Sequence, residues 1–189
     1  MKDGLQIKIS LLRSKPLIWR RVVVNSDITL EELHQTIQIV MQWEGHHLHS
    51  FEQRGKYYSP ANAVEEWEEQ DEVENYNTTT VGDLLQATGD KLNYTYDFGD
   101  DWEHRLELEK IVDPLDGLKA KYITGRSCSP IEDCGGIWGY YDLVDALNNP
   151  DNPNHEEMRE WLELEAGDVF DLKYIELTPA EFNEMLSSI

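Results

Sequence analysis

Apolar and polar positions alternate at Leu5, Ile7, Ile9 and Leu11, and Val22 to Val24 follow a break at Lys15-Pro16, a pattern that predicts two opening strands. The period then changes from two to 3.6. Thr29-Leu30-Glu31-Glu32 has the form of a capping box, and Leu30, Leu33, Ile37, Val40 and Met41 recur on one helical face until Gly45, which predicts a helix over 29–43. A strand pair feeding an amphipathic helix that packs across it is an α+β beginning of β-grasp type. Short strands are expected over 48–53 and 56–59 across a Gly55 turn. Thr80 is placed to cap a short helix through Leu84 and Leu85 that ends at Gly89.

The next segment carries a hairpin whose register can be argued. Leu92, Tyr94, Tyr96 and Phe98 alternate on one strand, and Trp102, His104, Leu106 and Leu108 on the next. Opposed residues of antiparallel strands share a face, so both sets lie together only if paired positions sum to an even number. A three-residue loop, Gly99-Asp100-Asp101, meets that condition and sets Phe98 opposite Trp102 and Tyr96 opposite His104. On the other face it pairs Lys91 with Glu109, Thr95 with Arg105 and Asp97 with Glu103. Beyond Pro114 the pattern is irregular through Gly125 and on to Gly136. Helices are then expected at 141–147, 154–162 and 179–186, the last with Thr178 and Glu181 as a capping box and Pro179 at the first helical position. The fold class expected is α+β: a mainly antiparallel sheet, the packed 29–43 helix, and carboxy-terminal helices closing an edge. A single domain is expected over 1–189, with a core at roughly 4–148 and a helical extension at roughly 150–189.

Charge narrows the functional classes. The 189 residues carry 38 acids against 16 bases, a net charge of −22, which disfavours non-specific attraction to nucleic-acid phosphates. The charge is uneven: Lys2, Lys8, Arg13, Lys15, Arg20 and Arg21 stand against Asp3 alone in the first 24 residues. Arg13, Lys15, Arg20 and Arg21 are thus candidate phosphate or partner contacts. Glu65, Glu66, Glu68, Glu69, Asp71, Glu72 and Glu74 crowd a stretch around Trp67 that reads as an acidic loop, or as a helix if Trp67 docks. No run approaches a membrane span and no apolar leader opens the chain, so a cytoplasmic location is expected, with Cys128 and Cys134 as free thiols.

Five blocks carry a resemblance. Lys15 to Arg21, Leu33-His34 with Ile37-Gln38, Trp43 to Phe51, Tyr96 to His104, and Glu132 to Gly136 with Gly139-Tyr140 resemble, in order, the signature blocks of the plasmid pRi open-reading-frame-three-like proteins. The resemblance implies a bacterial or archaeal protein, in some relatives linked to plasmids or mobile elements, and no agreed biochemical role. Some relatives carry resolvase-like labels, but this chain has no recombinase constellation.

The chemistry points to three segments. Like charges opposed on a sheet repel, so an Asp97/Glu103 pair asks for a counter-charge, a shared proton or a cation. With Asp100 and Asp101 it would offer hard oxygens to a divalent cation such as Mg²⁺ or Ca²⁺; the alternative is that these carboxylates accept backbone N–H bonds within the turn. His46, His47 and His49 fall within four residues, and a strand there would send His47 and His49 to one face, where His104 or Cys134 would complete a transition-metal set. The alternative is a rim of histidines bonded to Asp or backbone. Cys134 follows Glu132 and Asp133, which oppose a reactive thiolate. Trp19, Trp43, Trp102, Trp138 and Tyr140 suit either a stacking platform or the core. The reading adopted is a binding or interaction module with an acidic, histidine-containing cleft: His47, His49, Asp97, Asp100, Asp101, Glu103, His104, Glu132, Asp133 and Cys134. The alternatives are a metal-dependent hydrolase or nuclease using Asp97, Asp100, Asp101 or Glu103, and a nucleic-acid accessory protein.

Overall fold

The structure, a computed structural model, describes residues 2–60, 73–164, 175 and 177–189. The acidic stretch around Trp67 lies outside the described residues, apart from Val73 onward. Eight strands form one sheet: β1 (Gly4–Leu11), β2 (Trp19–Asn25), β3 (His49–Gln53), β4 (Lys56–Ser59), β5 (Val73–Asn75), β6 (Lys91–Tyr96), β7 (Trp102–Val112) and β8 (Ala120–Arg126). Their order is β5-β4-β3-β6-β7-β1-β2-β8, and the β4/β5 pair is parallel while the others are antiparallel. The helices are α1 (Leu30–Met41), α2 (Val81–Leu84), α3 (Gly136–Asn148), α4 (His155–Trp161) and α5 (Pro179–Leu186). The α+β class and the mainly antiparallel sheet are as the sequence pattern predicts.

Cross-strand register gathers the apolar set onto one face. Ile7 lies between Val22 and Leu108, Ile9 between Arg20 and Leu106, and Leu11 against His104. Tyr94 continues the row between His104 and Phe51. The buried stripe of α1, with Leu30, Leu33, Ile37, Val40 and Met41, covers that face in one continuous core. The opposite face is polar: Glu109 accepts both Nε and Nη2 of Arg21, at 2.6 and 2.8 Å, and the side chain of Gln6 at 2.9 Å. There Lys8 and Arg21 also lie over the Trp19 ring, 5.3 and 4.9 Å from its centre.

The hairpin keeps the argued parity but not the argued register. Lys91 faces Glu107, Asn93 faces Arg105, Thr95 faces Glu103, Tyr94 faces His104 and Tyr96 faces Trp102. The loop is therefore 97–101. Asp97 leaves the ladder because it adopts a left-handed φ of 56° and donates its N–H to Leu48 O at 2.8 Å. Asp97 and Glu103 are not opposed, and Phe98 is not paired with Trp102.

Several boundaries also differ, and α3 starts at Gly136 rather than at 141. α1 stops at Met41, with Gln42 left-handed at φ 59°, because Trp43 turns back to bond Gln38 O and sends its indole N–H to Pro130 O at 2.9 Å. The segment before Gly125, expected to be irregular, is strand β8; only Ala120 and Tyr122 are buried on it, too short an alternation to stand out in sequence. α5 closes this edge. Phe182 packs on Tyr122 with ring centres 4.4 Å apart, and Asn183 bonds Tyr122 N and O at 2.7 and 3.2 Å.

Arg20 departs most from expectation. It sits on the core face of β2 with no exposed surface, and its donors go to Val40 O at 2.8 Å, Trp19 O at 3.0 Å, Arg126 O at 3.2 Å, Ser127 O at 2.9 Å and Ser129 Oγ at 2.8 Å. Val40 O is one of the carbonyls that the last turn of a helix leaves unpaired, where a cation is favoured. Burial lowers the Arg20 pKa, but a guanidinium remains protonated. Removing it strands several buried acceptors, so Arg20→Met is expected to lower the unfolding free energy by about 3–5 kcal/mol, with Arg20→Lys recovering only part because an ammonium lacks the forked donors. Urea unfolding of the three proteins checks this; an Arg20→Met protein as stable as wild type would show the guanidinium to be dispensable.

Candidate functional site

Three segments meet at the ends of β3 and β6, and the contacts that join them can be followed residue by residue. Glu132 is held from two sides: Oε1 accepts the Tyr96 hydroxyl at 2.6 Å and Oε2 accepts Glu44 N–H at 2.8 Å. Burial, reinforced by this carboxylate, raises the Tyr96 pKa, so the phenol stays a donor. Asp100 Oδ2 accepts Gly135 N–H at 3.2 Å at the start of α3, where a carboxylate complements the helix dipole. Gly136, with φ 69°, permits the approach: a Cβ there would lie 2.3 Å from Asp100 O. The 97–101 loop, the 132–136 loop and the 43–47 segment are thereby fastened together.

His47 lies at their junction. Its Nδ1 is 3.7 Å from Asp97 Oδ2 and its Nε2 is 3.3 Å from Asp133 Oδ1, with side chains 30%, 14% and 70% exposed for His47, Asp97 and Asp133. Asp97 is aimed by Gly99 N–H, which holds its Oδ1 at 2.9 Å and leaves Oδ2 for the imidazole. One ligand atom from each of the three residues lies within 4.8 Å of the others. His46 and His47 border two cavities, of about 750 and 670 Å³.

The remaining candidates divide. The four carboxylates Asp97, Asp100, Asp101 and Glu103 do not converge as one set, since Arg13 Nη2 holds Glu103 at 2.7 Å and Asp101 at 3.4 Å while Asp100 is spent on α3. His104 is a core residue, 1% exposed, with Nδ1 on Trp102 O at 2.8 Å and Nε2 without a partner among the described residues. His49 and His47 are not on one strand, because β3 begins only at His49; both border the cavity of about 750 Å³, but the His49 ring turns inward and stacks on His34 at 3.5 Å, interplanar angle 2°. Burial, then the charges of Asp100 and Asp133, push the Cys134 thiol up to about 12, so it is no nucleophile at neutral pH; Cys128 and Cys134 form no disulfide with each other.

The amino-terminal bases do not form one patch. Arg20 is enclosed in the core, Arg21 is spent on Glu109 across the sheet, and Arg13 on Glu103, while Lys15 is exposed. Nor do the aromatics form one platform: Trp43, Trp102 and Tyr140 are buried and Trp138 is 72% exposed. No helix among the described residues is long and apolar enough to cross a membrane.

Two contributors not singled out for the site are His34 and Gln38, one turn apart on α1. His34 Nδ1 lies 2.8 Å from the Tyr94 hydroxyl, and Gln38 Nε2 donates to the same oxygen at 2.9 Å. The available signal was polar side chains beside Leu33 and Ile37 on the apolar stripe, where a buried polar group needs a partner.

Against this geometry, the profile of the "plasmid pRiA4b ORF-3-like protein" family matches residues 3–179. An uncharacterised protein of Sinorhizobium fredii, y4hQ, is 33% identical over 157 residues, covering 82% of this chain and 79% of that one. The crystal structure of MM3350 from Methanosarcina mazei Go1, a protein of unknown function, superposes with a TM-score of 0.79 at 29% identity, over 96% of this chain and 97% of the other.

The buried imidazoles have a consequence for stability. Burial, and for His34 the neighbouring His49 ring, lowers His34 to about 3; burial likewise lowers His49 and His104 each to about 4. An unfolded histidine titrates near 6.5, so as pH falls below that value the unfolded chain binds protons that the folded chain refuses, and stability drops toward the folded pKa values. Each histidine contributes a slope of up to about 1.4 kcal/mol per pH unit. Between about pH 6.5 and 5, above the range where carboxylates titrate, His104→Gln is expected to reduce the slope of unfolding free energy by about one proton. Chemical denaturation across that interval measures it; an unchanged slope would mean that His104 ionises equally in both states.

Proposed function

The chain belongs to the plasmid pRiA4b ORF-3-like family, whose relatives matched here are of unknown function, and from its site we propose that it is a binding module whose acidic, histidine-containing cleft takes up a divalent transition-metal cation. The observation that carries this reading is the convergence of His47, Asp97 and Asp133 from three separate segments. A metal–ligand distance of about 2.0–2.2 Å needs donor atoms about 3–3.5 Å apart, so a pair now up to 4.8 Å apart has to close by about 1–2 Å, and the imidazole, which faces Asp97 with Nδ1 and Asp133 with Nε2, has to turn to offer one nitrogen to the ion. One imidazole and two carboxylates favour Zn²⁺ or Mn²⁺ over Ca²⁺, which prefers six to eight oxygens. The net charge of −22 raises the local concentration of cations, in keeping with such a ligand.

The elements supply the order that the site requires. Asp97 is oriented by Gly99, and Asp133 follows Glu132, which Tyr96 and Glu44 hold in place. Three protein donors leave coordination positions open to water or to a second molecule, so the cleft suits a bound ion that itself recruits a ligand.

Binding is read by calorimetry and thermal melts of metal-free protein with Zn²⁺, Mn²⁺, Mg²⁺ and Ca²⁺. At one hundred times Kd the ion is expected to stabilise the fold by about 2.7 kcal/mol, roughly 5–10 °C in Tm, with Zn²⁺ or Mn²⁺ binding more tightly than Ca²⁺. Asp133→Asn, at a largely exposed position, is expected to fold normally and to weaken binding by at least about tenfold. Failure of every ion to move the melt, or wild-type affinity in Asp133→Asn, would remove the cation from this cleft.

A further inference from the structure

Behind His47, the cavity of about 750 Å³ opens between α1, the 43–49 segment and Tyr76. Its inner surface differs chemically from the rim. His34 and His49 form a stacked pair, His49 Nε2 lies 2.9 Å from the Tyr76 hydroxyl, and Gln38 and Tyr94 complete the network. One polar atom in this lining, Gln38 Oε1, has no hydrogen-bond partner among the described residues, on a residue only 6% exposed, whereas the His49 ring is engaged by the Tyr76 hydroxyl and by the His47 backbone. A buried polar atom without a partner is costly, and the great majority in folded proteins are satisfied. Such an atom, just beneath the wall of a cavity, marks a group that an incoming molecule would complete.

Proton placement defines what that molecule must offer. The Tyr94 hydroxyl accepts from Gln38 Nε2, so its own proton is best placed on His34 Nδ1. His34 then carries its proton on Nε2. That nitrogen faces Gly45: a Cβ built on Gly45 would lie 3.9 Å from His34 Nε2 and 3.8 Å from Gln38 Oε1. An N–H donor and a carbonyl acceptor therefore stand close together at one point of the wall. Turning the Gln38 amide over exchanges both roles at once, and the pair stays complementary to the same kind of edge.

We propose that this chamber binds a neutral, flat cyclic amide, presenting an N–H beside a C=O, as in a lactam or the edge of a pyrimidine. The N–H meets Gln38 and the C=O meets His34, or the reverse. Neutrality follows from the surroundings. Burial keeps the His34 imidazole uncharged and both tyrosines protonated, while Glu31 and Glu44 line the cavity and disfavour an anion. A charged group would enter with no buried counter-ion. The inference concerns a wall distinct from the cation-binding rim and does not require a metal.

The test uses the full chain in the presence of EDTA, so that failure of the rim to hold a cation has no bearing on it. 2-Pyridone and uracil are titrated by calorimetry and by two-dimensional NMR, with N-methyl-2-pyridone as the probe that keeps the ring and carbonyl but lacks the N–H. Saturable binding of 2-pyridone is expected, shifting the side-chain signals of Gln38 and His34, with N-methyl-2-pyridone weaker by about tenfold or more. Gln38→Met should abolish the difference between the two probes. Because the comparison of probes is made on wild-type protein, it stands even if that variant misfolds. Equal affinity for the two pyridones, or no saturable response to 2-pyridone and uracil up to their solubility limits, would overturn the proposal.

Discussion

One buried guanidinium organises the part of the molecule that carries the candidate site. Arg20 reaches from the core face of β2 to the last turn of α1 through Val40 and to the chain leaving β8 through Arg126, Ser127 and Ser129. All its partners are uncharged oxygens. Ion pairing therefore does not explain the burial of the charge; the geometry does, because a planar fork of five donors can satisfy several carbonyls converging from different directions. The segment so held continues directly into Pro130, which receives the Trp43 indole, and Glu132, which receives Tyr96 and Glu44. Asp133 meets His47 at the end of this series of contacts.

The sheet divides two kinds of polar chemistry. On the open face, Glu109 with Arg21 and Gln6 forms a partly exposed cluster whose contribution to stability is small and salt-sensitive. On the covered face, Tyr94, His34, Gln38, His49, Tyr76 and His104 lie among aliphatic side chains, where each hydrogen bond is stronger and each missing one is more costly. The unpaired atoms of that network fall beside a cavity at Gln38 and near the Trp43 ring at His104. A core of this kind specifies one arrangement of rings at the expense of some stability.

Much of the architecture was legible in the chain because it rests on periodicity. The capping boxes at Thr29 and Thr178 lie where the pattern set them, and the face shared by Leu92, Tyr94, Tyr96, Trp102, His104, Leu106 and Leu108 follows from parity alone. Parity cannot choose between registers two residues apart. That choice was made by Asp97 N–H bonding to Leu48, a contact with another part of the chain that the hairpin's own residues do not encode. The sequence alone makes Arg20 a candidate phosphate or partner contact for the same reason: it stands beside Arg21 in a basic run, and only the arrival of Val40 and Ser127 explains why one of these neighbours is enclosed and the other is not. Within the candidate site, His47, Asp97 and Asp133 could be nominated from residue type, but their meeting depends on Gly136 lying against Asp100, which is long-range.

The docking of α5 on β8 has a consequence for solubility. Asn183 places its side-chain amide against both the N–H and the C=O of Tyr122, reproducing with one residue the pair of bonds that a neighbouring strand would make. A sheet edge left bare is a template for unwanted strand addition from another molecule. Here the position is already occupied, and Phe182 anchors the helix that holds the amide there. The carboxy-terminal helix thus acts as a guard against edge-to-edge self-association.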